Sequence, residues 1–163
     1  MKLKIFISIA AVLCVTGITR ADYFPQDFDR AAFYNILKSG NIGDIDKEIA
    51  IIEASSVIEK EAYHGTLLMK KAGLVKKAKD KLDYFKKGRI KLETELNKNN
   101  SKAEYHFLRL IIQEHAPKVT KYRSQIDDDA EYVKQHYKEL LPSVQQVVLD
   151  YSKTSNKIHT SDL

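Results

Sequence analysis

The stretch from Ser101 to Pro117, SKAEYHFLRLIIQEHAP, constrains the fold more than any other part of the chain. Ser101 with Glu104 three residues later forms the pattern of a capping box, and Pro117 sets a stop. Between them Lys102, His106, Arg109 and Gln113 recur at i, i+4, i+7 and i+11, one narrow polar stripe on a helix. Ala103, Tyr105, Phe107, Leu108, Leu110, Ile111, Ile112 and Ala116 fill most of the remaining circumference. A surface helix buries a single stripe, so a helix this apolar requires neighbours on two or more sides. It is therefore expected at the centre of the fold. The polar stripe is expected to be its main route to solvent and the wall of any groove.

Helical periodicity extends on both sides of this stretch, and no segment alternates as a strand does. A first helix is expected from Gln26 to Lys38 with Phe28, Ala32 and Ile36 along one face, closed by Ser39-Gly40. After a turn at Asn41 to Gly43, Asp44 caps a second helix with Ile45, Ile49 and Ile52 inward. Ser56 and Glu59 suggest another capping box, opening a third helix with Ile58, Ala62, Gly65, Met69 and Ala72 aligned, which Gly73 breaks. Residues 74–79 suit either a loop or an early helical turn. A fourth helix from about Asp80 places Leu82, Phe85, Leu92 and Leu96 inward, and the stretch already described is the fifth. A sixth spans Ser124 to Leu140, and Pro142 opens a seventh with Val144, Val147, Val148 and Tyr151 on one face. The expected fold is all-α. About seven helices pair as antiparallel hairpins, giving either a tetratricopeptide-like α-solenoid stub or a compact helical bundle.

The two ends are set apart from this core. Lys2 and Lys4, the apolar run from Ile5 to Val15 and the Thr19-Arg20-Ala21 site together have the form of a secretory signal peptide over residues 1–21. An apolar run of 11 residues is short of the roughly 20 that a membrane span needs. Cleavage would remove Cys14, the only cysteine, and with it any disulfide or thiolate chemistry. It would also take three of the 27 basic residues, so the net charge falls from +5 to +2 against 22 acidic residues. Residues 22–152 then form one helical domain, and the Ser/Thr/Asn-rich segment 153–163 is expected to be a frayed, flexible tail. The expected location is periplasmic or secreted, with no transmembrane span once the signal is removed.

From Ala62 to about Pro117 the chain resembles a degenerate tetratricopeptide-type array. That repeat sets a small residue where its two helices approach and a large apolar residue four positions on. Gly88 and Leu92 match this, with Gly65 and Leu68 on the partner helix, while Glu95 departs from the pattern and the chain has no Trp. The stretches Ala62-Tyr63-His64-Gly65, Phe85-Lys86-Lys87-Gly88, Glu104 to Leu110 and Gln113 to Pro117 are also similar to short exported helical proteins of the Bacteroidetes. That likeness implies export and a helical fold, and no activity.

Chemistry-bearing patterns are sparse. The histidines, His64, His106, His115, His136 and His159, include no HExxH pair, and there is no GxSxG elbow or phosphate-binding glycine loop. Glu104 and Glu114 have no spacing that marks them as a catalytic pair. Asp127-Asp128-Asp129 lacks the alternating ligands and turn glycine of a calcium loop and suits the first turn of a helix instead. The nine tyrosines suit half-buried gaps between helices. No catalytic residue, cofactor or metal is expected.

Two surfaces remain as candidates. The first is the interhelical groove walled by Lys102, His106, Arg109 and Gln113, which would bind a protein or peptide. The second is the basic stretch from Lys70 to Lys91, whose ten cations against Asp80 and Asp83 give a local charge of +8. Lys70, Lys71, Lys76, Lys77, Lys86, Lys87 and Arg89 are its candidate anion-binding residues, suited to anionic envelope lipid or glycan. Nucleic acid is a poor match for an exported chain with a nearly balanced charge.

Overall fold

A computed structural model describes residues 28–163. The expected signal peptide lies outside the described residues. Seven α-helices follow one another: α1 Arg30–Ser39, α2 Ile42–Ala54, α3 Lys60–Leu74, α4 Ala78–Lys98, α5 Ala103–His115, α6 Ile126–Gln135 and α7 Pro142–Ser152. Short 3-10 turns occupy Lys118–Thr120, Tyr137–Glu139 and Thr160–Asp162, and no strand occurs among the described residues. The all-α expectation holds. Helix α1 packs on α2, α3 on α4 and α5 on α6, while α7 returns to close on α1.

Local chemistry explains most of the boundaries. Asp29 caps α1, its carboxylate accepting from the Ala31 amide at 2.8 Å, so the helix starts later than the apolar spacing suggested. Gly40 ends it in the left-handed region at φ 73°, where a side chain would be strained. Asn41 is the cap of α2, accepting from the Asp44 amide, and the expected turn at Ile42-Gly43 is already helical. Helix α3 runs through Gly73 to Leu74, and only Val75 to Lys77 separate it from α4. The sixth helix ends early at Gln135 and is followed by the 3-10 turn.

Two proposed capping boxes are absent. Helix α5 begins after Lys102 and α3 after Glu59, neither with a side-chain cap. The glutamates that would have reached back to the backbone are engaged elsewhere. Glu104 accepts from the Tyr34 and Tyr63 hydroxyls at 3.0 and 2.8 Å, and Glu59 pairs with Arg30 and Lys102. Long-range partners have displaced the local ones.

The core is shared by α3 and α5. From Ala62 to Met69 every residue of α3 is buried, so it is enclosed at least as fully as α5. The enclosure comes from close approach to α4. A Cβ on Gly65 would stand 2.6 Å from the Gly88 carbonyl oxygen and 2.9 Å from the Leu92 nitrogen. The two backbones touch at these glycines. Pairing of Glu61 with Lys91 and of Lys71 with the Tyr84 ring extends the same antiparallel register in both directions.

Three expected placements fail. Ile58 and Leu82, expected inward, are 87% and 68% exposed. Ile58 precedes α3 rather than lying within it, and Leu82 sits on the side of α4 away from α3. The segment after Lys153, expected to fray, is docked. Ile158 is fully buried, Ser155 Oγ and the Asn156 amide both donate to Glu114, and Ser152 meets Thr160 at 2.9 Å.

Candidate functional site

The expected groove along α5 is occupied by the protein's own side chains. Asp129 on α6 is fully buried and accepts from Arg109 Nε at 2.7 Å and Nη2 at 2.8 Å, a bidentate pair. The same carboxylate lies 2.7 Å from His106 Nδ1, while His106 Nε2 lies 2.7 Å from the Asn100 carbonyl. Both ring nitrogens thus lie against oxygen atoms of the fold. Tyr132 stacks on His106 with centroids 4.1 Å apart, and His136 stacks on Tyr132 at 4.2 Å. Arg109 also reaches Glu93 on α4 at 3.0 Å, and its strong carboxylate pairing raises its pKa despite burial. Gln113 is fully buried and donates to Gln125 at 3.3 Å, and Lys102 pairs with Glu59.

The stripe Lys102, His106, Arg109 and Gln113 is therefore an internal polar seam facing α6, α4 and the start of α3. The four side chains are each engaged by neighbouring elements of the fold. Arg109 meets Asp129 of α6 and Glu93 of α4, and Lys102 meets Glu59 just before α3. The aspartate run was legible as a helix start, and Asp127, Asp128 and Asp129 do form the first turn of α6. That Asp129 turns inward to hold Arg109 and His106 was not legible, because one position in a run of three looks like the others.

The tyrosines are wired to interior carboxylates in the same manner. Glu104 takes Tyr34 and Tyr63, Glu93 takes Tyr122, and Glu114 takes Tyr151. Burial, then the neighbouring carboxylate, raises the pKa of each of these four hydroxyls far above the ordinary tyrosine value. Burial likewise raises the carboxyl of Glu104, against the opposing pull of Tyr63 and Arg30. His64 lies 3.5 Å from Glu53, with its pKa lowered chiefly by burial. The four tyrosine hydroxyls and their carboxylates are thus paired with one another within the fold.

The basic stretch divides. Lys71 is paired with Asp46 and Lys91 with Glu61, and Lys70 stands apart, its end over Gly40 at the close of α1. Arg89 lies over the Tyr122 ring, 4.9 Å from its centroid. Lys76, Lys77, Lys79, Lys86 and Lys87 are exposed. Among them stand Leu82, 68% exposed, and Ile90, 57% exposed. Lys79, Leu82, Lys86 and Ile90 fall at i, i+3, i+7 and i+11 of α4, one continuous ridge turned from the core. The candidate anion-binding set thus contracts to the loop and the outer ridge of α4.

A neighbouring turn adds residues that the sequence did not single out. Tyr122 is pinned beside α4 by Arg89 and by an edge-to-face contact with Phe85 at 5.6 Å. Lys118, Val119, Lys121 and Arg123 around it are exposed, Val119 almost completely. Charge density over a few residues of a turn was the only available signal.

No described helix is long and apolar enough to cross a membrane. No family model, curated protein or solved structure matches this chain.

Proposed function

We propose that this is an exported helical binding domain without catalytic chemistry, which docks on an anionic lipid surface through the outer ridge of α4. One observation carries the reading. Leu82 and Ile90 stand in water on a long helix, two turns apart, with Lys79, Lys86 and Lys87 beside them. Exposed apolar side chains framed by unpaired cations suit the boundary between lipid headgroups and acyl chains. They distinguish lipid from an acidic glycan, which would use the charges and leave the apolar groups idle. Protein or peptide binding along Lys102 to Gln113 is less well supported, because α6 fills that seam. The tetratricopeptide likeness stands as a proposal too. The approach of Gly65 to Gly88 supports it for the α3–α4 hairpin alone.

The test is co-sedimentation of the full chain with phosphatidylcholine vesicles, with and without 30% phosphatidylglycerol, at two ionic strengths. Each lysine near such a surface contributes ~1 kcal/mol. K86E/K87E is expected to lower partitioning onto the anionic vesicles by at least tenfold, and L82S/I90S by less. High salt should act like the charge reversal, because the screening length contracts to ~3 Å at 1 M. Equal partitioning by all three proteins at low salt overturns the reading.

A further inference from the structure

A cleft of about 500 Å³ opens between α1, α5, α7 and the docked C-terminal segment, on residues the surface reading does not use. Its volume lies within the range of small-molecule sites. Leu37 of α1, Ile111 and Ile112 of α5 and Val147 of α7 line it with hydrocarbon, and the Tyr151 ring adds an aromatic wall. The remaining lining includes neutral polar groups such as Asn35 and Thr154, the exposed Lys38, and three charged groups, Glu114, Asp150 and Lys70, that differ in whether they are already satisfied.

The carboxylates are committed. Glu114 accepts from the Tyr151 hydroxyl, the Ser155 hydroxyl and the Asn156 amide, so three donors already hold it. Asp150 is paired with Lys153 at 2.7 Å. Lys70 is not committed. It enters from α3, with its aliphatic end 3.4 Å from the position of a Cβ on Gly40, and has no hydrogen bond or ion pair among the described residues. Burial alone lowers its pKa, with no charged neighbour acting on it. A half-buried ammonium without a counter-charge, beside an apolar cleft whose acids are occupied, is complementary to an anion carried on a hydrocarbon body.

We infer that the cleft binds a small amphipathic acid, its apolar chain against Leu37, Ile111 and Val147 and its carboxylate on the Lys70 ammonium. Gly40 belongs to this arrangement. Its left-handed conformation turns the chain at the end of α1, and Lys70 lies against that turn.

The probe is dodecanoate, titrated below its micellar concentration into the full chain, with affinity from calorimetry and location from methyl NMR. The expected result is saturable binding with shifts at the Ile111, Ile112 and Val147 methyls. K70M retains the aliphatic stem and removes the charge, and is expected to weaken dodecanoate at least tenfold while leaving neutral dodecanol unchanged. V147W, which fills the cleft from the α7 side, should weaken both. Dodecyltrimethylammonium should bind the unmodified protein more weakly than dodecanoate. Absence of saturable binding overturns the inference. Shifts confined to other methyls, or full dodecanoate affinity in K70M, do so as well. Lys70 lies off the α4 ridge, so failure here leaves the vesicle result standing, and the reverse holds.

Discussion

At the α3–α4 seam Gly65 faces Gly88, and the backbones meet there with the Met69 and Lys91 side chains beside them. At the α5–α6 seam the helices are joined by Arg109, His106 and a fully buried Asp129. Both seams join antiparallel neighbours in one core, yet they specify the pairing differently. The glycine contact selects by shape and tolerates any side chain that leaves the space empty. The polar seam selects by complementary groups, since one register alone brings Asp129 to both Arg109 and His106. A buried ion pair is weak evidence for net stability, because desolvation opposes the attraction. Its distinct role here is to fix the register of α6, which is short and carries acids on three successive positions.

Removing Asp129 should break that contrast most forcibly. D129A leaves the Arg109 guanidinium and the His106 ring buried without their shared acceptor, a loss of about 3–5 kcal/mol for a broken interior pair. Chemical denaturation would measure it as a lowered midpoint with an unchanged slope. The joint variant R109M/D129L should recover part of the loss, because the Arg109–Asp129 pair is removed together, while Glu93 loses its Arg109 partner and His106 its acceptor. If D129A alone is tolerated, apolar packing holds the seam and the comparison fails.

The glycine seam answers to the smallest possible addition. G88A places a methyl group against the Gly65 carbonyl oxygen and the Met69 nitrogen, both backbone atoms that cannot swing aside. The hairpin must separate along its length, and overpacking of this kind costs about 1–3 kcal/mol. G65A should behave alike, meeting the Gly88 oxygen and the Leu92 nitrogen. Thermal unfolding of the two variants against the parent checks the pair together. A neutral result for either would show that the helices are not in backbone contact.

How far these features could be read in advance depended on the kind of force involved. Helix number followed from periodicity, because burying apolar faces is a local pattern repeated every few residues. The small-residue contact was implied by the tetratricopeptide likeness, which matched Gly88 and Leu92 to its close-approach positions. Pairings that depend on the third dimension were not. Glu104 and Glu59 matched capping-box positions, but Tyr63, Arg30 and Lys102 arrive from other helices and offer stronger partners. The tail looked unable to fold because it is polar, yet Ile158 supplies a buried anchor and Glu114 gathers donors around it. The stripe on α5 looked solvated for the same reason. Polar spacing identifies a face, and only the neighbour decides whether that face meets water or a counter-charge.

Gly73 supplies the smallest test and the sharpest control for the glycine seam. It lies on α3, one residue before the helix ends, where the sequence pattern predicts the break of that helix. In the structure it is an ordinary helical residue, and a Cβ built on it meets nothing within 4 Å. Alanine there loses less backbone freedom on folding and encounters no obstacle. G73A should therefore stabilise the protein by about 0.5–1 kcal/mol, at the low end because the helix ends one residue later. Measured beside G65A and G88A under identical conditions, the same one-methyl change is expected to carry opposite signs within one hairpin. A loss of stability in G73A would mean that general sensitivity of the hairpin to alanine, and not the contact between Gly65 and Gly88, sets the effect at the other two positions.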